Sequence, residues 1–259
     1  MNCYLNYNGI QVPFTNLDKG ILDRCIQNNL AVGTDQEVAN HFIRPGDIVY
    51  DIGAYIGTHS IRYALNGGIV YAFEPSPNNF SRCQRHCSPF KQIKVFNVAL
   101  HDQEYQCETR FKDCNASEAT LSEADPIQKI NYVILPKFVK ENNLPYPKFI
   151  KMDIEGMETI VLKTIEEWLI NVRPILLVEC HVRPRDCFYQ VYKDNPHWLY
   201  PDEGGFDFNL FHKHAYFVIE ERHGKLYPLK GDFNKNMTGG ALLCIPIEKW
   251  IQNPLEQTQ

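Results

Sequence analysis

From residue 47 to residue 180, short β-branched runs alternate with stretches whose apolar positions recur every three or four residues. That rhythm is the mark of βαβ units stacked into a parallel sheet. It predicts five strands: Asp47–Ile52, Ile69–Phe73, Lys94–Leu100, Phe149–Asp153 and Ile175–Glu179. His59–Leu65 reads as a helix closed by Gly67-Gly68, and Pro77–Cys87 as a second helix with Pro at its start. Met157–Asn171 carries the clearest helical spacing, through Ile160, Val161, Ile165, Trp168 and Leu169.

Two stretches break this rhythm. Residues 101–135 are polar and delay the fourth strand, as an insertion or a hairpin such as Glu104–Lys112 followed by a loop would. Residues 184–217 mix Tyr, Trp, Phe and His with Pro and Gly, which predicts an irregular folded cover over one sheet edge. Ala215–Glu220 and Gly240–Ile245 then read as an antiparallel strand pair closing the sheet, and residues 1–46 as helices packed on it before the first strand.

With 259 residues, 44% of them apolar, the chain can build one large α/β domain. A formal net charge of -5 without a basic stripe argues against a nucleic-acid partner. No apolar run reaches the roughly 20 residues needed to span a bilayer, and the first 40 residues do not resemble an export signal. The nine cysteines include no CxxC pair, so the expectation is reduced thiols in a cytoplasmic protein with neither a disulfide framework nor a structural zinc site. No membrane partner is expected, and the oligomeric state is open.

Chemistry concentrates at the strand ends. Asp51-Ile-Gly-Ala-Tyr-Ile-Gly57 lies where a buried strand turns into a helix, and its glycines let backbone approach a ligand closely. The dinucleotide fingerprint would demand glycine at 55 and 58, where the chain has Tyr55 and Thr58, and there is no phosphate-cradling GK[ST]. What remains is an adenosine ligand without a pyrophosphate. Glu74 closes the second strand 23 residues after Asp51 (74 - 51), the spacing that puts a carboxylate on ribose hydroxyls. S-adenosylmethionine fits these constraints; the bland alternative is a turn whose glycines only ease packing.

Five stretches in order, Asp51–Gly57, Ala72-Phe-Glu-Pro-Ser-Pro77, Asn97-Val-Ala-Leu100, Phe149-Ile-Lys-Met-Asp-Ile-Glu-Gly156 and Leu176-Leu-Val-Glu179, resemble the motifs of the FkbM family of methyltransferases. Tyr216, Gly224, Leu226, Pro228-Leu229 and Gly239-Gly240 resemble the end of that family, so the likeness runs from about residue 37 to residue 247. It implies a Rossmann-like class I fold, with a mostly parallel doubly wound sheet, a single domain over 1–259, and S-adenosylmethionine-dependent methylation of a hydroxyl on a carbohydrate or glycosylated small molecule. Carried over by position, Asp51, Gly53 and Gly57 surround the amino acid end of the cofactor, Glu74 the ribose, and Asn97 with Ala99 the adenine, while Ala54 and Tyr55 count as further cofactor contacts. Glu37 sits where the family often has an acid near the cofactor. Tyr55 departs from the usual Asn, and Pro136 stands near a position where many members carry Asp.

The fourth and fifth strands end in Asp153-Ile-Glu155 and Glu179-Cys-His181, and ligands of parallel sheets bind beyond such ends. In one mechanism His181 or a carboxylate takes the acceptor's proton while the others orient the sugar. In the other, Asp153, Glu155 and Glu179 hold Mg²⁺ or Mn²⁺, which lowers the hydroxyl's pKa. The metal-free version is preferred, and Asp153 counts as a cofactor contact as well. For Asp153 and Glu155 the alternative is a favourable acid at a helix N-terminus. His212 and His214 form an HxH pair without a flanking ligand cluster, which reads as part of the cover. The rival functions are an N-methyltransferase on a small amine or peptide, and a non-catalytic cofactor-binding protein.

Overall fold

The computed structural model describes residues 2–7, 10–15, 41–110, 127–154, 157–180, 209–222, 225–228 and 240–250. In chain order the strands are β1 (Asn2–Tyr7), β2 (Ile10–Thr15), β3 (Ile48–Ile52), β4 (Ile69–Phe73), β5 (Ile93–Phe96), β6 (Ala99–Leu100) and β7 (Tyr105–Arg110). They continue with β8 (Ile127–Val133), β9 (Phe149–Met152), β10 (Ile175–Cys180), β11 (Tyr216–Arg222), β12 (Lys225–Pro228) and β13 (Gly240–Pro246). The helices are α1 (Thr58–Leu65), α2 (Pro77–Cys87), α3 (Leu135–Glu141), α4 (Glu158–Thr164), α5 (Glu166–Asn171), α6 (Asn209–Lys213) and α7 (Ile247–Trp250).

Eight strands form the main sheet in the order β12-β11-β13-β10-β9-β3-β4-β5. From β10 to β5 all neighbours are parallel, whereas β13 runs antiparallel to β10 and β11 runs antiparallel to both β13 and β12. The chain starts this sheet at β3, winds outward through β4 and β5, and returns on the other side with β9. The boundary between β3 and β9 is therefore the topological switch point, beyond whose strand ends ligands bind. The fold class is the α/β, mostly parallel architecture that the hydrophobic rhythm predicts.

Strand alternation divides the core in two. Tyr50, Ile52, Ile150, Met152, Leu176 and Val178 pack on one face with Trp168 and Phe211. Val49, Phe149, Leu177 and Leu243 pack on the other with Tyr63 and Ile43. Helix α1 ends in a Schellman closure, in which Gly67 N–H donates to Ala64 O at 2.9 Å and Gly68 N–H to Tyr63 O at 3.0 Å. Helix α2 begins at Pro77 behind Ser76, whose hydroxyl accepts the Asn79 N–H at 3.2 Å.

Several expectations need correction. The N-terminal segment does not begin with helices: β1 and β2 pair as an antiparallel hairpin in which Tyr7 faces Ile10. The strand expected over Lys94–Leu100 stops at Phe96, and Ala99–Leu100 joins a separate three-stranded sheet of order β6-β8-β7. Within the insertion, β7 pairs with the distant β8 rather than turning back locally. The helix expected over Met157–Asn171 is interrupted at Ile165. There Thr164 Oγ1 donates to Val161 O at 2.7 Å, a side-chain bond that competes with the helical ladder. Of the aromatic cover over 184–217, residues 181–208 lie outside the described residues.

Candidate active site at the switch point

The turn after β3 is bound to the ends of both neighbouring strands. Gly53 and Ala54 each donate a backbone N–H to Phe73 O at 3.0 Å, which ties the turn to β4. Gly53 adopts φ +79, and a Cβ there would stand 1.8 Å from Asp153 O, on the chain leaving β9. Gly57 adopts φ +90 and presses on α2, where a Cβ would lie 2.7 Å from Cys87 Sγ. Both glycines are thus demanded by protein contacts, and the bare backbone they leave is available to a ligand as well.

Tyr55 takes the left-handed conformation at φ 51, a region in which Asn and Gly are at ease and Tyr is uncommon. Its backbone N–H donates to Glu74 Oε2 at 2.8 Å, while Ser76 N–H donates to Glu74 Oε1 at 2.9 Å. Because the clasp uses Tyr55's main chain, the exchange of Asn for Tyr leaves it intact. The Tyr55 ring lies 5.8 Å from the Arg82 guanidinium on α2.

Glu74 is buried, and burial pushes its carboxyl up to about 8, against the lowering effect of the Ser76 and Tyr55 N–H groups and of Lys151. The loop that follows is held by side chains. Asn97 Nδ2 donates to Glu74 O and Pro75 O, both at 2.9 Å, and Ser76 Oγ donates to Gln128 Oε1 on β8 at 3.2 Å. Ala99 is buried in β6 opposite Tyr132. The small sheet therefore buttresses the loop that carries Glu74.

A charged row crosses the switch point, and its central member escaped the sequence reading. Asp51 and Lys151 are register partners on β3 and β9. The Lys151 ammonium donates to Gly53 O at 2.8 Å and lies 3.7 Å from Asp51 Oδ1 and 3.5 Å from Asp153 Oδ2. Ser60 Oγ on α1 donates to Asp51 Oδ2 at 2.5 Å. A lysine inside the otherwise apolar run Phe149–Met152 was the available signal, since lysine is almost never fully buried unless paired.

Glu179, on β10, shares the face of Leu177, whose register partner is Lys151, so alternation puts it on the same side as Asp51 and Lys151. Glu37, Glu155 and His181 lie outside the described residues. The acid that serves the start of α4 is Glu158, whose Oε1 accepts the Ile154 N–H at 3.0 Å. His212 and His214 stand in and just after α6 rather than on a strand, and His214 Nε2 contacts Glu166 Oε1 at 2.8 Å. Among the described residues no group of three His, Cys, Asp or Glu side chains could hold a metal ion. Among the described residues no helix is long and apolar enough to cross a membrane.

Residues 51–221 match the family model described as the methyltransferase FkbM domain. The chain belongs to this family. A hexuronic acid methyltransferase, AglP of Haloferax volcanii, is 28% identical over 145 residues, covering 54% of this chain and 59% of the relative. The chain thus spans less than two thirds of that relative's length. Among solved structures, an FkbM methyltransferase from Methylobacillus flagellatus is 16% identical with a TM-score of 0.45, covering 77% of this chain and 43% of its own. A SAM-dependent methyltransferase from Aquifex aeolicus is 14% identical with a TM-score of 0.44, covering 89% of this chain and 100% of its own.

Proposed function

We propose that the chain transfers a methyl group from S-adenosylmethionine to an oxygen of a carbohydrate acceptor. The observation that carries this reading is the Glu74 clasp: a buried carboxylate fixed by two backbone N–H groups at the end of β4. Each carboxylate oxygen has a second acceptor direction, and two such directions suit the vicinal hydroxyls of a ribose. The Asp153 carboxylate, 26% exposed beside the switch point, also suits a donor carrying a sulfonium and an ammonium. When bound, the donor supplies the electrophilic methyl group.

The remaining work falls to the chain's own residues: alignment of the acceptor and removal of its proton. Glu179 stands at the end of the strand beside Asp153, and Glu155 and His181 are the sequence's further candidates for the proton. A sugar acid as acceptor is supported by the likeness to the hexuronic acid methyltransferase of Haloferax volcanii. The expected state is a protein without nucleic-acid or membrane partners, working in the cytoplasm.

The test is thermal unfolding with S-adenosylmethionine, S-adenosylhomocysteine, NAD or no ligand. A ligand at about 100 times its dissociation constant adds roughly 2.7 kcal/mol. A shift with the two adenosyl compounds alone supports the donor site; uronic acids and their glycosides are then screened, with and without chelator, by mass spectrometry. Absence of any shift overturns the reading.

A further inference from the structure

Lys151 is an expensive residue where it stands. Its side chain is 5% exposed, Asp51 is 0% exposed and Asp153 is 26% exposed. Removing charges from water costs several kcal/mol per ion unless they are compensated. One ammonium faces two carboxylates, and Asp153 is the one of the three with substantial access to solvent. The Asp51 end is closed: Oδ2 is held by Ser60, and Oδ1 has no hydrogen-bond partner. The row therefore meets solvent at Asp153, beside the switch point.

The same ammonium also holds the glycine turn, through Gly53 O at 2.8 Å. Gly53 in turn lies against the Asp153 backbone so closely that no Cβ fits between them. One cation thus connects the Gly53 carbonyl with the Asp153 carboxylate. Neither can shift without the other or without uncovering a buried charge.

Resting on the methyl-donor reading, we infer that Lys151 is a positioning residue that sets the Asp153 carboxylate and the Gly53 carbonyl as a single unit to receive the ammonium of the donor's amino acid end. Its role is selective. The adenosine part of the donor is held at the Glu74 clasp, just after β4, which is hydrogen-bonded by Tyr55 and Ser76 and feels Lys151 only as a more distant charge. A ligand with the amino acid end senses Lys151 directly, and one without it only through that weaker effect.

Two ligands separate these roles. S-adenosylhomocysteine carries the amino acid end, and 5'-deoxy-5'-methylthioadenosine lacks it. Calorimetric titration of Lys151→Gln is expected to show S-adenosylhomocysteine weakened by about tenfold or more, in line with a lost charged hydrogen bond, and methylthioadenosine within about twofold of wild type. Lys151→Arg restores most of the loss. Asp153→Asn, on the more exposed member, reproduces the same selectivity and decides the matter if Lys151→Gln does not fold. Equal weakening of both ligands overturns the inference and leaves Lys151 a packing residue. Tighter binding of S-adenosylhomocysteine also overturns it, because the ammonium of Lys151 would then merely oppose that of the ligand. A wild-type protein that binds methylthioadenosine and S-adenosylhomocysteine equally well sinks the inference alone, whereas one that binds neither sinks the methyl-donor reading with it.

Discussion

The backbone N–H of Tyr55 donates to Glu74 Oε2 at 2.8 Å, joining the turn after β3 to the acid at the end of β4. The bond fixes the turn from the main chain of a residue in the left-handed region. Any residue but proline can supply that N–H, so the identity of residue 55 matters for backbone strain and for the space its ring takes.

Glu74 makes stability and donor affinity depend on pH in opposite directions. Its folded-state carboxyl, raised from 4.5 to about 8, binds a proton that the unfolded chain has already released. Its contribution to stability is fully present below about 4.5 and is lost as pH rises through about 8, on the order of a few kcal/mol in all. In the proposed donor complex ribose hydroxyls donate to the ionised form, so S-adenosylhomocysteine affinity should instead rise across pH 7 to 8. Glu74→Gln orphans one of the two N–H groups, which costs about 1–3 kcal/mol at every pH, but it should flatten both slopes. Denaturant titrations and calorimetry at pH 5 and pH 8 read this; unchanged slopes in the variant assign the pH dependence elsewhere.

Gly57 is expected to be coupled to Cys87. A Cβ at 57 meets Cys87 Sγ at 2.7 Å and Cys83 Sγ at 3.0 Å, and φ +90 adds backbone strain of about 1–2 kcal/mol for any L side chain. Gly57→Ala should therefore destabilise by more than the strain alone. Adding Cys87→Ala removes the nearer contact and leaves the strain. A double-mutant cycle should yield a favourable coupling of about 0.5–3 kcal/mol, and strict additivity would show that the helix simply moves away.

Much of this architecture was legible in the chain. Stretches buried on both faces, such as Ile48–Ile52 and residues 175–178 of β10, are near-continuous apolar runs, and Pro77 behind Ser76 announces α2 without tertiary information. The hairpin of β1 and β2 had a signal too, since Asn8-Gly9 separates two runs of strand-forming residues. The expectation of helices before the first core strand passed over it. The departure of the chain at Phe96 was not legible, because it is set by long-range bonds from Asn97 to the loop after β4 and by pairing with β8. The Lys151 row was half legible: the carboxylates stand at strand ends, but what lies between them depends on the register of β3 with β9.

Phe14 should anchor the N-terminal hairpin to the back of the donor turn. Its side chain is fully buried against Ala54, Ile56, Cys83 and Cys87, with its ring centroid 4.6 Å from that of His86. His86 in turn contacts Ile56 O through Nδ1 at 2.9 Å, so the hairpin reaches the turn through α2 as well as directly. Phe14→Ala should cost about 3–5 kcal/mol and lower the melting temperature by about 10 °C or more, with Phe14→Leu recovering most of it. A drop of only one or two degrees would mean that the hairpin is not a fixed part of the core.

Glu179 is the residue proposed for the acceptor side, and its replacement should separate chemistry from donor binding. It lies on β10 with Ala241 as its register partner on β13, so the strand beside it presents only a methyl group at that level. On its other flank β9 is followed by Asp153, which lies 3.5 Å from the Lys151 ammonium. Of these two carboxylates, Glu179 is the more exposed, and so the more open to a hydroxyl acceptor. Glu179→Gln should lower turnover by about 10²–10⁴-fold, the usual worth of a general base, while S-adenosylhomocysteine affinity stays within about twofold. Single-turnover methyl transfer, followed by mass spectrometry on the acceptor from the screen, measures the first quantity, and calorimetry the second. Turnover that survives the substitution would hand the proton to Glu155 or His181, and lost donor binding in a folded variant would move Glu179 to the cofactor side of the site.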